Sequence, residues 1–376
     1  MRDFRQYWVG LNMVKGIGAV RLRALLDFFG DAQLAWQAHP AELRATGLPT
    51  GIVENLIKLR ESVSLEQIWD QIQAQGIQVV AWGDENYPVR LREIDNAPPV
   101  LYVRGSLEIE DEWSVAIVGT RRITAYGRQV AERIATKLAN SGITVVSGLA
   151  LGVDTVAHQS ALETGGRTLA VLGCGVDRIY PPNNRHLAER ILESGALVSD
   201  YAPGTPPEAS NFPPRNRIIS GLSLATVVVE AGEKSGALIT ADFAVEQGRE
   251  VFAVPGNVFS PQSWGPNRLI QNGAHPLLDP QEILDQLDLT RVVAQSEARV
   301  VLPANATEAQ LFGVLGHEPL HVDEIRAKTD LPIEQVTATL ALMELKGMVR
   351  QVGGMRYTSI REMSADYVTK EDHDAR

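Results

Sequence analysis

Apolar and polar residues alternate along this chain in two rhythms. Between Ser114 and about Leu287, short β-branched and apolar runs bounded by glycine, proline and polar residues take turns with longer stretches whose apolar positions recur every three or four residues. The runs predict strands over 115–118, 144–147, 168–172, 196–199, 225–230 and 251–254, with helices between them. That alternation is the signature of parallel βαβ units in a doubly wound sheet, an α/β fold. The run Val115-Ala116-Ile117-Val118 has no polar face, which predicts a strand buried on both sides and turning at Gly119. Val130, Ile134 and Leu138 then follow at helical spacing over 124–140. Runs 78–82 and 98–103, set off by Tyr87-Pro88 and Pro98-Pro99, extend the same sheet.

The flanks carry different patterns. Residues 5–75 read as short helices, with Tyr7, Trp8, Leu11 and Val14 ahead of Lys15-Gly16-Ile17-Gly18, and Val20, Leu22, Leu25, Leu26 and Phe29 after it, closed by Gly30. A helix, a Gly-Ile-Gly turn and a helix resemble a helix-hairpin-helix or SAM-like domain, and Gly47-Leu48-Pro49-Thr50-Gly51 before 52–59 looks like a degenerate second copy. Hairpin N–H groups of that unit can touch a DNA phosphate; a bundle that merely packs on its neighbour is the open alternative. At the other end, helical stretches over 308–315, 322–328 and 332–346 precede two short strands about Gly353-Gly354, which predicts a winged helix. The expected domains are 1–75 helical, 76–290 Rossmann-like, 291–303 linker, 304–360 winged helix, and 361–376 a polar, disordered tail. Winged helices usually read DNA through their third helix, but here it offers Glu334, Glu344 and only Lys346, so a protein-interaction or autoregulatory role competes.

Charge narrows the choice. A net charge of −11 and a pI near 5.2 argue against a protein that coats polyanions with a broad basic face; any nucleic-acid site must be a local basic groove. Cys174 is the only cysteine, which excludes an internal disulfide and a cysteine-rich metal site. No uncharged apolar run approaches the length of a membrane span, and the first residues, MRDFRQYWVGL, lack the apolar core of a signal peptide. The cytoplasm is the expected compartment and no membrane contact is expected.

Ligands of doubly wound sheets bind at the carboxyl ends of the strands. Those ends carry Gly119-Thr120-Arg121-Arg122, Ser147-Gly148, Gly173-Cys174-Gly175, Glu230-Ala231 with Lys234-Ser235-Gly236, and Pro255-Gly256-Asn257. Glycine permits close approach, a helix N-terminus supplies partial positive charge, and guanidiniums fork onto phosphate, so Arg121 and Arg122 make an anion site or else a solvated loop. Arg215 and Arg217 open an apolar helix containing Ile218, Ile219 and Leu222, either as phosphate contacts or as locks between loop and sheet edge. Phe212 and Tyr180 are stacking platforms or core. Enzyme motifs fail: Gly173-Cys174-Gly175-Val176-Asp177-Arg178 lacks the third glycine of a dinucleotide fingerprint, and Glu233 stands where a Walker loop needs glycine. Asp154 and His158, four residues apart, suggest a metal pair or acid–base couple less than they suggest Asp154 capping a helix over 155–162 with His158 bonded nearby. No catalytic residue, metal or cofactor is expected.

The ensemble of motifs resembles the DprA (Smf) family of DNA-processing proteins. It comprises Gly119-Thr120-Arg121-Arg122; Ser147 to Asp154 with Ala157-His158; Tyr180-Pro181; Pro214 to Gly221; Glu230-Ala231 with Ser235 to Ala241; and Pro255-Gly256 with Asn267 to Ile270 through Gly273-Ala274. The resemblance implies an extended Rossmann-like domain in a non-catalytic protein that binds single-stranded DNA, protects it during natural transformation and loads the recombinase RecA. It implies Arg121 as principal phosphate contact, with Gly119, Thr120, Arg122, Ser147, Gly148, Asn184, Arg215, Asn216, Arg217, Lys234, Ser235 and Gly236 around it. It also implies a homodimer and recombinase contact through Arg268, Leu269, Ile270 and Gln271, whose apolar members read equally well as core. Some members carry lysine after Tyr-Pro where this chain has Pro182, and Arg185 is the candidate replacement. The alternative is a hydrolase resembling nucleoside-monophosphate phosphoribohydrolases, but their Gly-Gly-x-Gly-Thr segment is reduced here to Glu230-Ala231 with Ser235-Gly236.

Overall fold

A computed structural model of the chain describes residues 3–289, 305–315, 319–329, 331–345 and 348–359; the expected linker over 291–303, Lys346 and the tail over 361–376 lie outside them. The chain forms two compact units, Met1–Asp288 and Leu289–Arg376. In the first, the strands are β1 Gln78–Ala81, β2 Val100–Gly105, β3 Ser114–Val118, β4 Thr144–Ser147, β5 Thr168–Val171, β6 Ala196–Ser199, β7 Ala225–Val228, β8 Glu250–Ala253 and β9 His275–Pro276. They form one sheet in the order β1-β2-β6-β5-β4-β3-β7-β8-β9. Neighbours from β6 across to β9 run parallel, while β1 and β2 join the edge antiparallel.

Every residue of β3, β4, β5, β6 and β7 is buried, as their largely apolar and β-branched runs require of strands covered on both faces. Successive residues of β5 divide between two apolar clusters, Leu169 and Val171 in one and Ala170 in the other, so each face of the sheet has its own core. The helix expected over 124–140 is Ala125–Asn140, started by Thr124, whose hydroxyl accepts from the Gly127 N–H at 3.1 Å. The sequence pattern missed β9, because His275–Pro276 offers no apolar run and owes its pairing to Phe252 and Ala253 of β8.

One topological fact positions the site. The chain steps outward through β3, β4, β5 and β6, then returns to the other side of β3 for β7, β8 and β9. Between β3 and β7 the direction of winding reverses, the helices that follow these strands diverge, and a crevice opens at the carboxyl ends. Val118 pairs with Val228 in register, so Gly119 to Arg122 emerges beside Glu230.

The helices Arg5–Met13, Ala19–Phe29, Ala32–Gln37, Pro40–Ala45, Thr50–Ser62 and Leu65–Ala74 share an apolar cluster built on Leu11, Leu22, Leu25, Trp36, Leu43 and Leu56. Gly16 takes φ +99° between the first two, and the helix Thr50–Ser62 supports it, since its Asn55 Nδ2 donates to the Lys15 carbonyl at 3.0 Å. Asn12 accepts from the Tyr102 hydroxyl of β2 at 3.0 Å, which ties this bundle to the sheet within one unit.

The second unit is a winged helix. Its described helices are Ala306–Val314, Val322–Thr329 and Ile333–Leu345, packed through Leu311, Ile325, Val336, Leu340 and Met343. The strands β10 Leu320–His321, β11 Val349–Gln351 and β12 Arg356–Ser359 pair antiparallel in the order β10-β12-β11. The wing turns at Gly353, Gly354 and Met355, all at positive φ. Ile333–Leu345 exposes Glu334 and Glu344 and contains no lysine or arginine.

Candidate nucleic-acid interface

A cleft of about 830 Å³ occupies the crevice between β3 and β7. Its first wall is the loop leaving β3. Gly119 is needed there because a Cβ would lie 2.5 Å from the Val153 side chain and 2.9 Å from the Glu230 carbonyl. The Thr120 N–H donates to that carbonyl at 2.6 Å, and the Val153 N–H donates to the Thr120 carbonyl at 3.2 Å. The buried Glu230 carboxylate fixes the far end of the loop, accepting from the Thr124 N–H at 3.0 Å and from its hydroxyl at 2.5 Å. Clamped at both ends, the loop presents Arg121 and Arg122 outward, both exposed.

Across the cleft lies the helix Gly236–Glu246, whose first turn is capped by Ser235 accepting from the Ala237 N–H at 3.3 Å. Lys234, just ahead of it, is exposed. Among the described residues, no ion pair or side-chain hydrogen bond engages the charges of Arg121, Arg122 and Lys234. The floor is aromatic. Tyr180 and Phe212 pack with ring centroids 5.5 Å apart and planes 35° apart, and the Arg121 guanidinium stands 5.9 Å from the Phe212 centroid. Both rings line the cleft and both keep partial solvent exposure, which favours platform over core.

A second group of expected residues forms the frame behind this surface. Arg215 is only 5% exposed; its Nη1 donates to the carbonyls of Gly148, at 2.9 Å, and Val171, bolting the loops after β4 and β5 together. Asp154 flanks Gly148 from the other side, where a Cβ would come within 2.9 Å of both Arg215 Nη2 and Asp154 Oδ2. Burial pushes the Arg215 guanidinium below its ordinary range and the Asp154 carboxyl above its own, while their mutual attraction opposes both shifts. Asn184, buried, donates from Nδ2 to the Leu149 carbonyl and the Thr155 hydroxyl, each at 2.9 Å, and Ser147 donates to the Ile117 carbonyl at 2.6 Å. Asn216 bridges to the Gly236 carbonyl at 3.1 Å. Arg217 is paired with Asp200 at 2.8 Å, donates also to the Asn96 and Pro214 carbonyls, and does not line the cleft. Arg185 is exposed at the start of the helix Arg185–Ser194, also outside the lining.

The expected Asp154 cap needs correction. The helix is Val153–Glu163 with Gly152 at its N-cap, at φ +83°, and Asp154 sits in the first turn, reaching back to accept from the N–H groups of Gly148, at 3.0 Å, and Ala150, at 3.3 Å. Gly152 permits the earlier start because a Cβ there would collide with the Thr120 carbonyl. His158 is bonded nearby, as expected: its Nδ1 lies 2.7 Å from the Thr168 hydroxyl, which itself donates to the Val145 carbonyl, so Nδ1 carries the proton. Burial, helped by Arg215, pushes its pKa down to about 3. Among the described residues, no group of three His, Cys, Asp or Glu side chains is arranged to hold a metal ion.

Arg268, Leu269, Ile270 and Gln271 lie elsewhere, on the helix Trp264–Gln271. Leu269 is partly buried against the core and Ile270 partly exposed, while Arg268 Nη1 donates to Gln271 at 2.7 Å. A smaller cavity of about 410 Å³ beside them is lined by Arg268, Leu269 and Trp264, and shares Lys234 and Ser235 with the main cleft. Four lining residues escaped the sequence, Pro207, Ala209, Gly232 and Gln262; of these, Gln262 is tied in by its carbonyl, which accepts from the Ala231 N–H at 2.8 Å. Its segment shows no cationic or glycine-rich signal.

Comparison with known proteins places these features in a family. Residues 78–288 match the model for DNA recombination-mediator protein A, and residues 295–355 match that for the DprA winged helix domain. Protein Smf of Synechocystis sp. is 37% identical over 93% of this chain and 98% of its own length. The X-ray structure of DNA processing protein A from Streptococcus pneumoniae is similar with a TM-score of 0.67 at 32% identity, covering 74% of this chain and 97% of that one. A structure of DNA processing protein A from Helicobacter pylori, described for that protein's single-stranded DNA binding mode, is similar with a TM-score of 0.51 at 32% identity, covering 56% of this chain and 95% of that one.

Proposed function

We propose, from the premise that the chain belongs to the DNA recombination-mediator protein A (DprA/Smf) family, that the cleft between β3 and β7 holds single-stranded DNA. The observation that carries this reading is a set of three cations, Arg121, Arg122 and Lys234, without an ion pair among the described residues and lining one cleft with the Tyr180–Phe212 pair, in a protein of net charge −11. Cations that track a backbone beside an aromatic surface are the recurrent chemistry of single-strand grooves. A duplex cannot offer unstacked bases to such a floor. Asp154, the one carboxylate in the lining, is already bonded to backbone N–H groups and so adds little repulsion toward phosphate.

The wider reading is a recombination mediator that shields single strands taken up in natural transformation and hands them to RecA, acting as a homodimer in the cytoplasm and without catalysis. The family membership supports the mediator role. Among the described residues no helix is long and apolar enough to cross a membrane. The partly exposed Ile270 and exposed Arg268 support an intermolecular contact on the helix Trp264–Gln271. The nucleotide-hydrolase alternative loses support because Glu230, the acid it would use, is buried and bonded twice to Thr124. The test is fluorescence anisotropy with single-stranded and duplex oligonucleotides of equal length. Tighter binding to the single strand, weakened by Arg121→Ala, is expected; equal binding to both forms would overturn the reading.

A further inference from the structure

Phe259 is the most exposed of the large apolar side chains among the described residues, at 91%, and Val258 beside it is 78% exposed. The loop that carries them is not loose. Asn267 accepts from the Gly256 N–H at 3.1 Å and donates back to its carbonyl at 3.0 Å. The Phe259 N–H donates to Asn257 Oδ1, and the Ser260 N–H to the Asn257 carbonyl, both at 2.9 Å. A phenyl ring is thus presented to water on a pinned turn, an arrangement that burial does not explain.

The turn is continuous with the cleft. At one end, the Tyr126 hydroxyl donates to the Pro255 carbonyl at 2.8 Å, and Tyr126 lies in the first turn of the helix that follows Arg121 and Arg122. At the other end, Gln262 lines the cleft and is tied to Ala231. The local charge also suits a polyanion: from Val251 to Leu278 there is no aspartate or glutamate, in a chain that carries 46 of them. We infer that Phe259 is a second stacking platform, taking a nucleobase of the strand where it leaves the cleft. This rests on the single-strand reading of the cleft and extends the track past the Tyr180–Phe212 floor. A base has a π-face whatever its identity, so the platform adds affinity without sequence preference.

The test uses the full-length protein and oligonucleotides longer than about 16 nucleotides, enough to pass beyond one groove. Phe259→Ala is expected to weaken binding on the order of tenfold, and Phe259→Trp to preserve it, as loss and retention of one stacked base predict. On a strand of the same length made of abasic sites, wild type and Phe259→Ala should bind equally. Equal weakening on base-bearing and abasic strands would overturn the platform, since the change would then act through the fold. So would unchanged DNA affinity with a lower mass by light scattering, which would reassign Phe259 to a contact between copies of this chain. Arg121→Ala, run in parallel, separates the two ideas. If it weakens binding while Phe259→Ala does not, the platform fails and the cleft stands; if neither does, both fail.

Discussion

Replacing Arg121 by alanine tests the division between free and framework cations. Each phosphate neutralised on a single strand adds about 0.7 to the slope of log affinity against log salt. Three uncommitted cations, Arg121, Arg122 and Lys234, therefore give the wild type a slope of roughly −2.1. Raising salt from about 50 to about 200 mM, some 0.6 log units, should weaken its binding about 20-fold, and that of Arg121→Ala only about 7-fold. At fixed salt the variant should bind more than about tenfold more weakly, since a hydrogen bond to a charged group contributes on the order of 1.5–3 kcal/mol. Its melting temperature should hardly move, because an exposed loop cation contributes little to folding. Arg215→Ala should do the reverse: it removes the buried donor to the Gly148 and Val171 carbonyls and the positive charge near buried Asp154, at a cost of about 1–3 kcal/mol. The assay is anisotropy across a salt series for both variants, with urea unfolding alongside. An unchanged slope in Arg121→Ala, or Arg215→Ala as stable as wild type, would refute the division.

Acid should act through His158. Its folded-state pKa near 3 lies below the ordinary value of about 6.5, so the unfolded chain takes up the proton first and stability falls as pH drops from 6.5 toward 3. At pH 5 the loss is about 2 kcal/mol, and urea titrations of wild type and His158→Gln should show the gap between them narrowing by that amount from pH 7.5 to 5; a constant gap would refute the assignment. Deleting residues 300–376 should leave single-strand affinity within about tenfold, roughly 1.4 kcal/mol, because the third helix of the winged unit exposes acids and no described cation. A larger loss, read by anisotropy, would make that unit a primary site. Light scattering at micromolar concentration should give a dimer mass for wild type and a monomer mass for a Leu269→Glu, Ile270→Glu double variant; a dimer that survives the substitutions would move the interface elsewhere.

The sheet was legible because its central strands are β-branched and apolar runs, a pattern that survives any tertiary context, as at 115–118 and at Val145-Val146. The position of the cleft was legible too, since alternating βα units force ligands to the carboxyl ends and the Arg121-Arg122 pair stood at one of them. What the sequence could not separate was Arg121 from Arg215 and Arg217. All three are cations near a loop–helix junction, and the difference lies in partners far along the chain: the Gly148 and Val171 carbonyls for Arg215, Asp200 for Arg217. Asp154 was misread for a related reason, because a carboxylate in a first helical turn can cap its own helix or reach back into the preceding loop, and the close approach at Gly152 decides which. Gln262 and β9 left no trace because pairing with neighbouring elements, not composition, recruits them.

The frame behind the cleft has kinetic consequences for any strand bound in front of it. Arg215, Asp154, Asn184 and Glu230 are each held by backbone groups or by Thr124 and Thr155, so ligand arrival and departure require no rearrangement of the protein. On the proposed reading, the phosphates of the strand are held by three side chains on flexible stems, Arg121, Arg122 and Lys234, each able to let go independently of the others. Release then proceeds through partly detached intermediates, and a competitor that captures each freed phosphate can displace the protein stepwise. The lifetime of the complex should therefore shorten as competing single-strand binder is added, even where the equilibrium constant measured without it is tight.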